Sequence, residues 1–289
     1  MLAEFVQHVV NGLIIGGGYA LMGIGLTLIF GIMRVVNFAH GEFYMLGAFL
    51  LFTLFSLLGV NFFVSSLIAI VGVGVAGIIV ERVVLRPLRH QPIEIPMLAT
   101  VALSVILQNA AILIWDASPK TLKHPFSPIP MVVGPIHVVS IRIFAGLAAV
   151  ALIVGAHLFI QKTRFGKAMR ATFQDGEMAR LVGVNVDSVY AFTFAFGAAL
   201  AGASGVLLGS VFWVAPSMGD LAALKSFAVV IMGGLGNFIG AIVGGLVLGV
   251  AENLGAAYIS SGYKDAIGFI VIIVLLLLRP QGLLGKAVR

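Results

Sequence analysis

The 289-residue chain contains no cysteine, which excludes disulfides and thiolate metal sites and says little about compartment. Charge is also scarce, at 10% of residues against 61% hydrophobic, where globular domains carry about 25% charged residues. Too few charges exist to cover a water-facing surface, so a soluble domain is excluded, and disorder fails on the same numbers. Catalytic signatures are missing as well. Gly166-Lys167 and Gly285-Lys286 are followed by alanine and lack the glycine five residues upstream, so no phosphate-binding loop is present, and neither a His-Glu-x-x-His nor a Gly-x-Ser-x-Gly pattern occurs. No cofactor, metal or ATP chemistry is expected of this chain, and any energy input comes from a gradient or another subunit. The formal charge of +6, from 17 Lys+Arg and 11 Asp+Glu, reads as cytoplasmic loop charge, not as a nucleic-acid footprint.

What is present is long apolar sequence. Stretches free of Asp, Glu, Lys and Arg cover 5–33, 43–80, 95–115, 143–161, 188–219 and 226–251, with a shorter one at 266–278. About 20 helical residues cross a 30 Å hydrocarbon core. The run 43–80 has room for two crossings, broken at Gly59-Val60-Asn61. This gives a single all-α polytopic membrane domain over 1–289, with about eight transmembrane helices, some short or broken. Glu4 stands where a signal peptide would be basic, and no Lys or Arg precedes Arg34, so the first helix is expected to stay in the mature protein.

With the N-terminus outside and the C-terminus in the cytoplasm, the cytoplasmic side holds Arg34, Arg82, Arg86, Arg89, Lys162, Arg164, Lys167, Arg170, Arg180, Arg279, Lys286 and Arg289. The outside holds Lys120, Lys123, Arg142, Lys225 and Lys264, a ratio of 12 to 5 that flipping the chain inverts. Parity then requires 214–223 and 260–264 to face outside together. The segment between them must cross twice, with 224–235 as a short arm, a break at 233–237 and a return from 238. A similar polar break lies at 34–42. Helices before the two breaks run in opposite directions, and paired interruptions in oppositely oriented halves indicate an inverted repeat with a substrate site at its interface.

Four constellations carry polar chemistry. Asn37-Phe38-Ala39-His40-Gly41-Glu42 crowds Asn37, His40 and Glu42 between apolar helices. The group is either a solvated loop in which Glu42 compensates Arg34, or a buried set that must pair with itself or with a ligand. Gly236, Gly240 and Gly244 share a helical face suited to close packing, and the break beside them, with Gly234 and Asn237, exposes backbone groups to a passing solute. Glu252 either ends a helix at an interface or is an intramembrane acid. The loop 162–187 is the longest hydrophilic stretch. In it Asp175 suits a helix cap, Glu177 the first turn and Gly183 the stop. Met178, Ala179, Leu181 and Val182 give that helix an apolar surface, with Arg180 beside it, which fits a docking helix for a cytoplasmic partner.

Taken together, Asn37 through Glu42, the series Arg164-x-Gly166 to Asp175-x-x-Met178-Ala179-x-x-x-Gly183-x-Asn185, Gly233-Gly234-Leu235-Gly236-Asn237-Phe238-Ile239-Gly240-Ala241 and Arg279-Pro280-Gln281-Gly282-Leu283-Leu284-Gly285 resemble the LivH-type permease of branched-chain amino acid ABC importers. The resemblance runs from about Asn11 to Gly285. It implies a bacterial inner-membrane permease paired with a second related permease, two cytoplasmic ATPases and a periplasmic substrate-binding protein, with membrane lipid around it and no nucleic acid. It also implies that 162–187 seats on an ATPase through Asp175, Glu177, Met178, Arg180, Leu181 and Gly183. Asn37, His40, Glu42, Gly234, Gly236 and Asn237 are expected to line the translocation pathway. The cargo stays open among branched-chain amino acids, other amino acids, amides and urea. The competing reading is a gradient-driven transporter or channel, which has only Glu42 and Glu252 available for ion coupling.

Overall fold

A computed structural model describes residues 2–122, 124–126, 130–133 and 136–285. Of the basic residues used above for orientation, Lys123, Lys286 and Arg289 lie outside the described residues. Helix α1 (Leu2–Met33) is followed by α2 (His40–Leu51), which continues as a π-helical stretch over Phe52–Leu57. Next come α3 (Phe62–Val80), with its own π-helical continuation Glu81–Leu85, the single turn α4 (Arg86–Leu88) and α5 (Glu94–Trp115). The second half holds α6 (Ser140–Lys162), α7 (Arg164–Gln174), α8 (Gly176–Leu181), α9 (Val186–Val211), α10 (Met218–Gly233), α11 (Phe238–Tyr258) and α12 (Lys264–Leu278). Eight helical segments among the described residues are long and apolar enough to cross a membrane. The 16-residue α10 is shorter than these, about 24 Å long. The chain is thus an all-α polytopic membrane protein.

Burial separates inner from outer helices. α1 and α9 are mostly enclosed by protein, whereas α5, α6 and α12 leave most of their apolar surface uncovered. Small residues let the inner helices approach. A Cβ on Gly245 would stand 2.5 Å from the Ala20 nitrogen, and one on Gly249 would stand 2.5 Å from the Gly12 carbonyl oxygen, so this face of α11 lies directly on α1. The adjacent face serves α10, where Gly240 meets the Gly233 carbonyl and Gly244 the Val229 carbonyl. The glycine ladder is therefore a packing device.

The two halves repeat in inverted form, although not about the break the sequence proposes. Helix α1 ends at Met33 and α2 starts at His40; α9 ends at Val211 and α10 starts at Met218. One offset of 178 residues relates both boundaries, and both breaks are six residues long. α1 and α9 are antiparallel, since the Ser204 hydroxyl donates to the Gly18 carbonyl (2.8 Å) while Gly197 meets Gly25. The partner of break 34–39 is thus 212–217, not 233–237. The sequence reading leaves 214–223 as an outer loop and counts Lys225, at the start of the short arm 224–235, among the outside charges. In the structure α10 already begins at Met218 and buries Lys225. Short strands at Lys120–Thr121 and Trp213–Val214 pair antiparallel and tie the loop after α5 to this second break.

Candidate functional site

After α1 ends, the first break turns back along it. Arg34 adopts φ 54, an uncommon backbone conformation for a side chain with a Cβ, and the segment climbs until His40 Nε2 lies 3.0 Å from the Met22 carbonyl oxygen. Met22 is eleven residues before Met33, about 16 Å along the axis, so α2 begins well inside the layer. Asn37, His40 and Glu42 are all buried at this depth. The solvated-loop reading fails, and Glu42 does not compensate Arg34. Asn37 Oδ1 accepts from the Ala39 amide (3.1 Å) and turns the chain into α2.

Helix α10 begins at the same depth, opposite α2. A Cβ on Gly41 would stand 2.0 Å from the Gly219 carbonyl oxygen, and one on Gly219 would stand 2.6 Å from Glu42 Oε2. Glycine on both sides is what admits two helix starts and a carboxylate to one small volume. The local sequences match across the repeat, His40-Gly41-Glu42 on one side and Met218-Gly219-Asp220 on the other.

Helix α5 closes the site. Thr100, Ser104 and Gln108 recur every fourth residue, placing three polar groups on one face of a mostly apolar helix. Thr100 Oγ1 accepts from the Phe38 amide (3.1 Å). Ser104 donates to Glu42 Oε1 (3.1 Å), and Gln108 donates to Asp220 Oδ2 (2.8 Å). This rail joins α5 to both breaks. Asp220 and the rail escape sequence reasoning because no spacing rule links α5 to α10; the i, i+4, i+8 recurrence was the legible signal.

A second buried cluster sits beyond α10. Lys225 Nζ contacts Glu252 (2.9 Å) and Asp265 (2.7 Å), and it also donates to the Tyr19 hydroxyl (2.9 Å), which in turn donates to Glu252 (2.9 Å). Glu252 lies two turns inside α11, which continues to Tyr258, so it is a buried, paired acid and does not end the helix. The cluster borders a cavity of about 430 Å³ whose walls include Tyr44, Phe212, Trp213 and Leu221.

The residues of the break at 233–237 lie elsewhere. Gly234 (φ 98) and Gly236 (φ 80) turn the chain from α10 into α11 with conformations that suit glycine. Asn237 caps α11 by accepting from the Gly240 amide (2.9 Å) and donates to the Leu284 carbonyl (2.7 Å). The Leu283 amide donates to the Met232 carbonyl (2.7 Å). Gly234 and Asn237 are therefore joined to the segment after α12, whereas Gly236 abuts Phe173 of α7 together with Gly31.

In the loop 162–187 the structure adds a helix the sequence reading lacks. Thr163 caps α7 by accepting from the Gly166 amide (2.9 Å), and Arg170 donates back to the Ile160 carbonyl. Asp175 then caps α8, accepting from the amides of Glu177 (2.9 Å) and Met178 (3.0 Å), and Gly183 (φ 88) ends it. Ala179 packs inward while Met178, Leu181 and Val182 stand exposed. Arg180, Arg86 and Arg89 all pair with Asp187 (3.2, 3.5 and 2.7 Å), and Arg89 also holds Glu81. Among the described residues no group of three His, Cys, Asp or Glu is placed to hold a metal ion.

Two broken helices meeting inside a bundle of spanning helices, with a short exposed helix at one end, define an integral-membrane transport subunit. Comparison with known proteins narrows this. A family model described as the permease component of the branched-chain amino acid transport system matches residues 8–276, and the chain belongs to that family. The high-affinity branched-chain amino acid transport system permease protein BraD of Pseudomonas aeruginosa is 38% identical, covering 98% of this chain and 96% of its own. LivH of Escherichia coli K12 is 37% identical over the same shares. The probable LivH permease of Methanocaldococcus jannaschii is 30% identical, covering 92% and 88%. Among solved structures, PsaBC from Streptococcus pneumoniae in complex with Fab aligns over 97% of both chains with a TM-score of 0.50 at 12% identity, a likeness of fold alone. Family membership favours the permease reading over a gradient-driven transporter.

Proposed function

We propose that the chain, as one domain, forms part of the translocation pathway of an ATP-driven importer for branched-chain or related amino acids. The observation that carries this is a membrane-depth polar site at the meeting of two inverted half-helices, in a member of a permease family. Asn37, His40 and Glu42 form the pathway wall at mid-depth. Gly234, Gly236 and Asn237 stand at its cytoplasmic end, beside α7. Asp175, Glu177, Met178, Arg180, Leu181 and Gly183 make the helix that seats on an ATPase subunit, supported by the exposure of Met178 and Leu181. A second permease, two ATPases and an extracytoplasmic binding protein complete the machine, and hydrolysis resides on the ATPases. Counting α10 as a crossing gives nine, which agrees with an outside N-terminus, a cytoplasmic C-terminus and the excess of basic residues inside.

The test is reconstitution of the complex in proteoliposomes with ATP inside and the binding protein with labelled leucine outside. Uptake that needs ATP and no ion gradient is expected. Uptake driven by a proton gradient without the ATPases would overturn the reading.

A further inference from the structure

Helix N-termini carry about half a positive charge each, so two facing each other in a membrane should attract an anion. Here the starts of α2 and α10 face each other, and each brings an acid in its first turn, Glu42 and Asp220. Two carboxylates against two helix ends leave an excess of about one negative charge. No basic side chain offsets it from α2 or α10, because Lys225 is held by Glu252 and Asp265 and His40 is turned to the Met22 carbonyl. From α5 the acids receive only neutral donors, Ser104 and Gln108.

Two further observations indicate that a ligand completes this arrangement. Glu42 is 1% exposed, yet its Oε2 has no hydrogen-bond partner, which is costly for a buried carboxylate. Asp220 is exposed on the protein surface at the depth of Gly41, where a charge facing lipid is expensive and a charge facing a water-filled route is not.

We propose that Glu42 and Asp220, equivalent residues of the inverted repeat, form a cation-selective step in the pathway that takes the α-ammonium group of the passing amino acid. The ammonium has three donors and one positive charge, matching the spare carboxylate oxygens and the charge excess. Ser104 and Gln108 hold the acids when the step is empty. The proposal rests on the amino-acid permease reading and goes beyond it by assigning the recognised group and its residues.

Because the chain has no cysteine, Leu224→Cys places a sole thiol in this subunit one turn after Asp220 on the same face of α10, at a position 53% exposed. In the assembled transporter, its reaction with a trimethylammonium methanethiosulfonate is compared with that of the sulfonate analogue. Clefts lined by one sign of charge raise the local concentration of counter-ions about tenfold or more. The cationic reagent should therefore react about tenfold faster, and this ratio should fall towards one in D220N and in E42Q. D220E, which keeps the charge, should retain the preference and so separates charge from folding. Leucine uptake should fall at least tenfold in D220N and E42Q, with ATPase association unchanged. A thiol unreactive in every nucleotide state, a ratio unaltered by both neutral variants, or normal uptake by both would each overturn the inference. If the unaltered complex takes up no amino acid, the permease reading fails, while the reagent ratio still decides whether the step selects cations.

Discussion

Gly25 and Gly197 meet backbone to backbone where α1 crosses α9. A Cβ on Gly25 would stand 2.5 Å from the Gly197 carbonyl oxygen, and one on Gly197 would stand 2.8 Å from the Gly25 carbonyl. Both neighbours are backbone, so neither can yield by changing rotamer. Gly197→Ala is expected to lower the thermal unfolding midpoint in detergent by several degrees, and Gly25→Leu to abolish recovery of folded protein. Gly155, in α6 with nothing within 4 Å, is the control. There alanine should be neutral or stabilise by up to about 1 kcal/mol through its better helix propensity.

The Lys225–Glu252 pair is buried, so losing one partner should cost far more than losing both. Lys225→Met leaves the Glu252 carboxylate with the Tyr19 hydroxyl and the more distant Lys264 (3.9 Å), and a stranded buried charge costs about 3–5 kcal/mol. The double variant with Glu252→Leu should recover most of that loss. Thermal melts of the three proteins in nanodiscs check this, and equal destabilisation by the single and double variants would count against it.

On α8 the apolar side chains should dominate assembly. Burying a side chain such as Leu181 is worth roughly 1.5–3 kcal/mol, whereas an exposed ion pair from Arg180 contributes at most about 1 kcal/mol. Met178→Asp with Leu181→Asp should abolish co-purification with the ATPase while leaving the subunit in the membrane. Arg180→Ala should lower ATP-coupled uptake only modestly, because Asp187 keeps Arg86 and Arg89. Normal assembly of the double aspartate variant would show that α8 is not the docking helix.

Asn237 serves both as the cap of α11 and as a tie to Leu284. Asn237→Asp keeps an acceptor for the cap and loses the donor; Asn237→Ala loses both. The alanine variant should be destabilised by about 1–2 kcal/mol, the aspartate by less, and limited proteolysis after α12 should quicken in both. Unchanged cleavage in the alanine variant would mean the tie does not hold the C-terminal segment.

The eight long apolar helices and the short helix α8 were legible in the sequence because each is a local property. A run of apolar residues free of charge is a span whatever it packs against, and Asp175 caps α8 with atoms two and three residues away. The candidate site was only half legible. Asn37, His40 and Glu42 stood out as polar residues between apolar runs. Asp220 falls within the expected outer loop 214–223 because the short α10 offers too few apolar residues to announce its start. Lys225 counted as a loop charge, since a single buried lysine looks like an exposed one until Glu252, 27 residues on, is placed beside it. The pairing of the breaks failed for a related reason. The glycines at 233–237 are conspicuous, whereas 212–217 holds Trp213, Val214 and Pro216 and shows its kinship only through the positions of the helix ends.

The shared offset and the antiparallel α1 and α9 bear on how such a chain enters the bilayer. Five crossings, α1, α2, α3, α5 and α6, precede α9, and an odd number obliges the second copy of the unit to enter the bilayer upside down. The same pattern of a long helix, a six-residue break and a shorter helix is therefore accommodated in both directions across the layer. Glu42 and Asp220 thus reach one depth from opposite faces of the layer, each in the first turn of its helix.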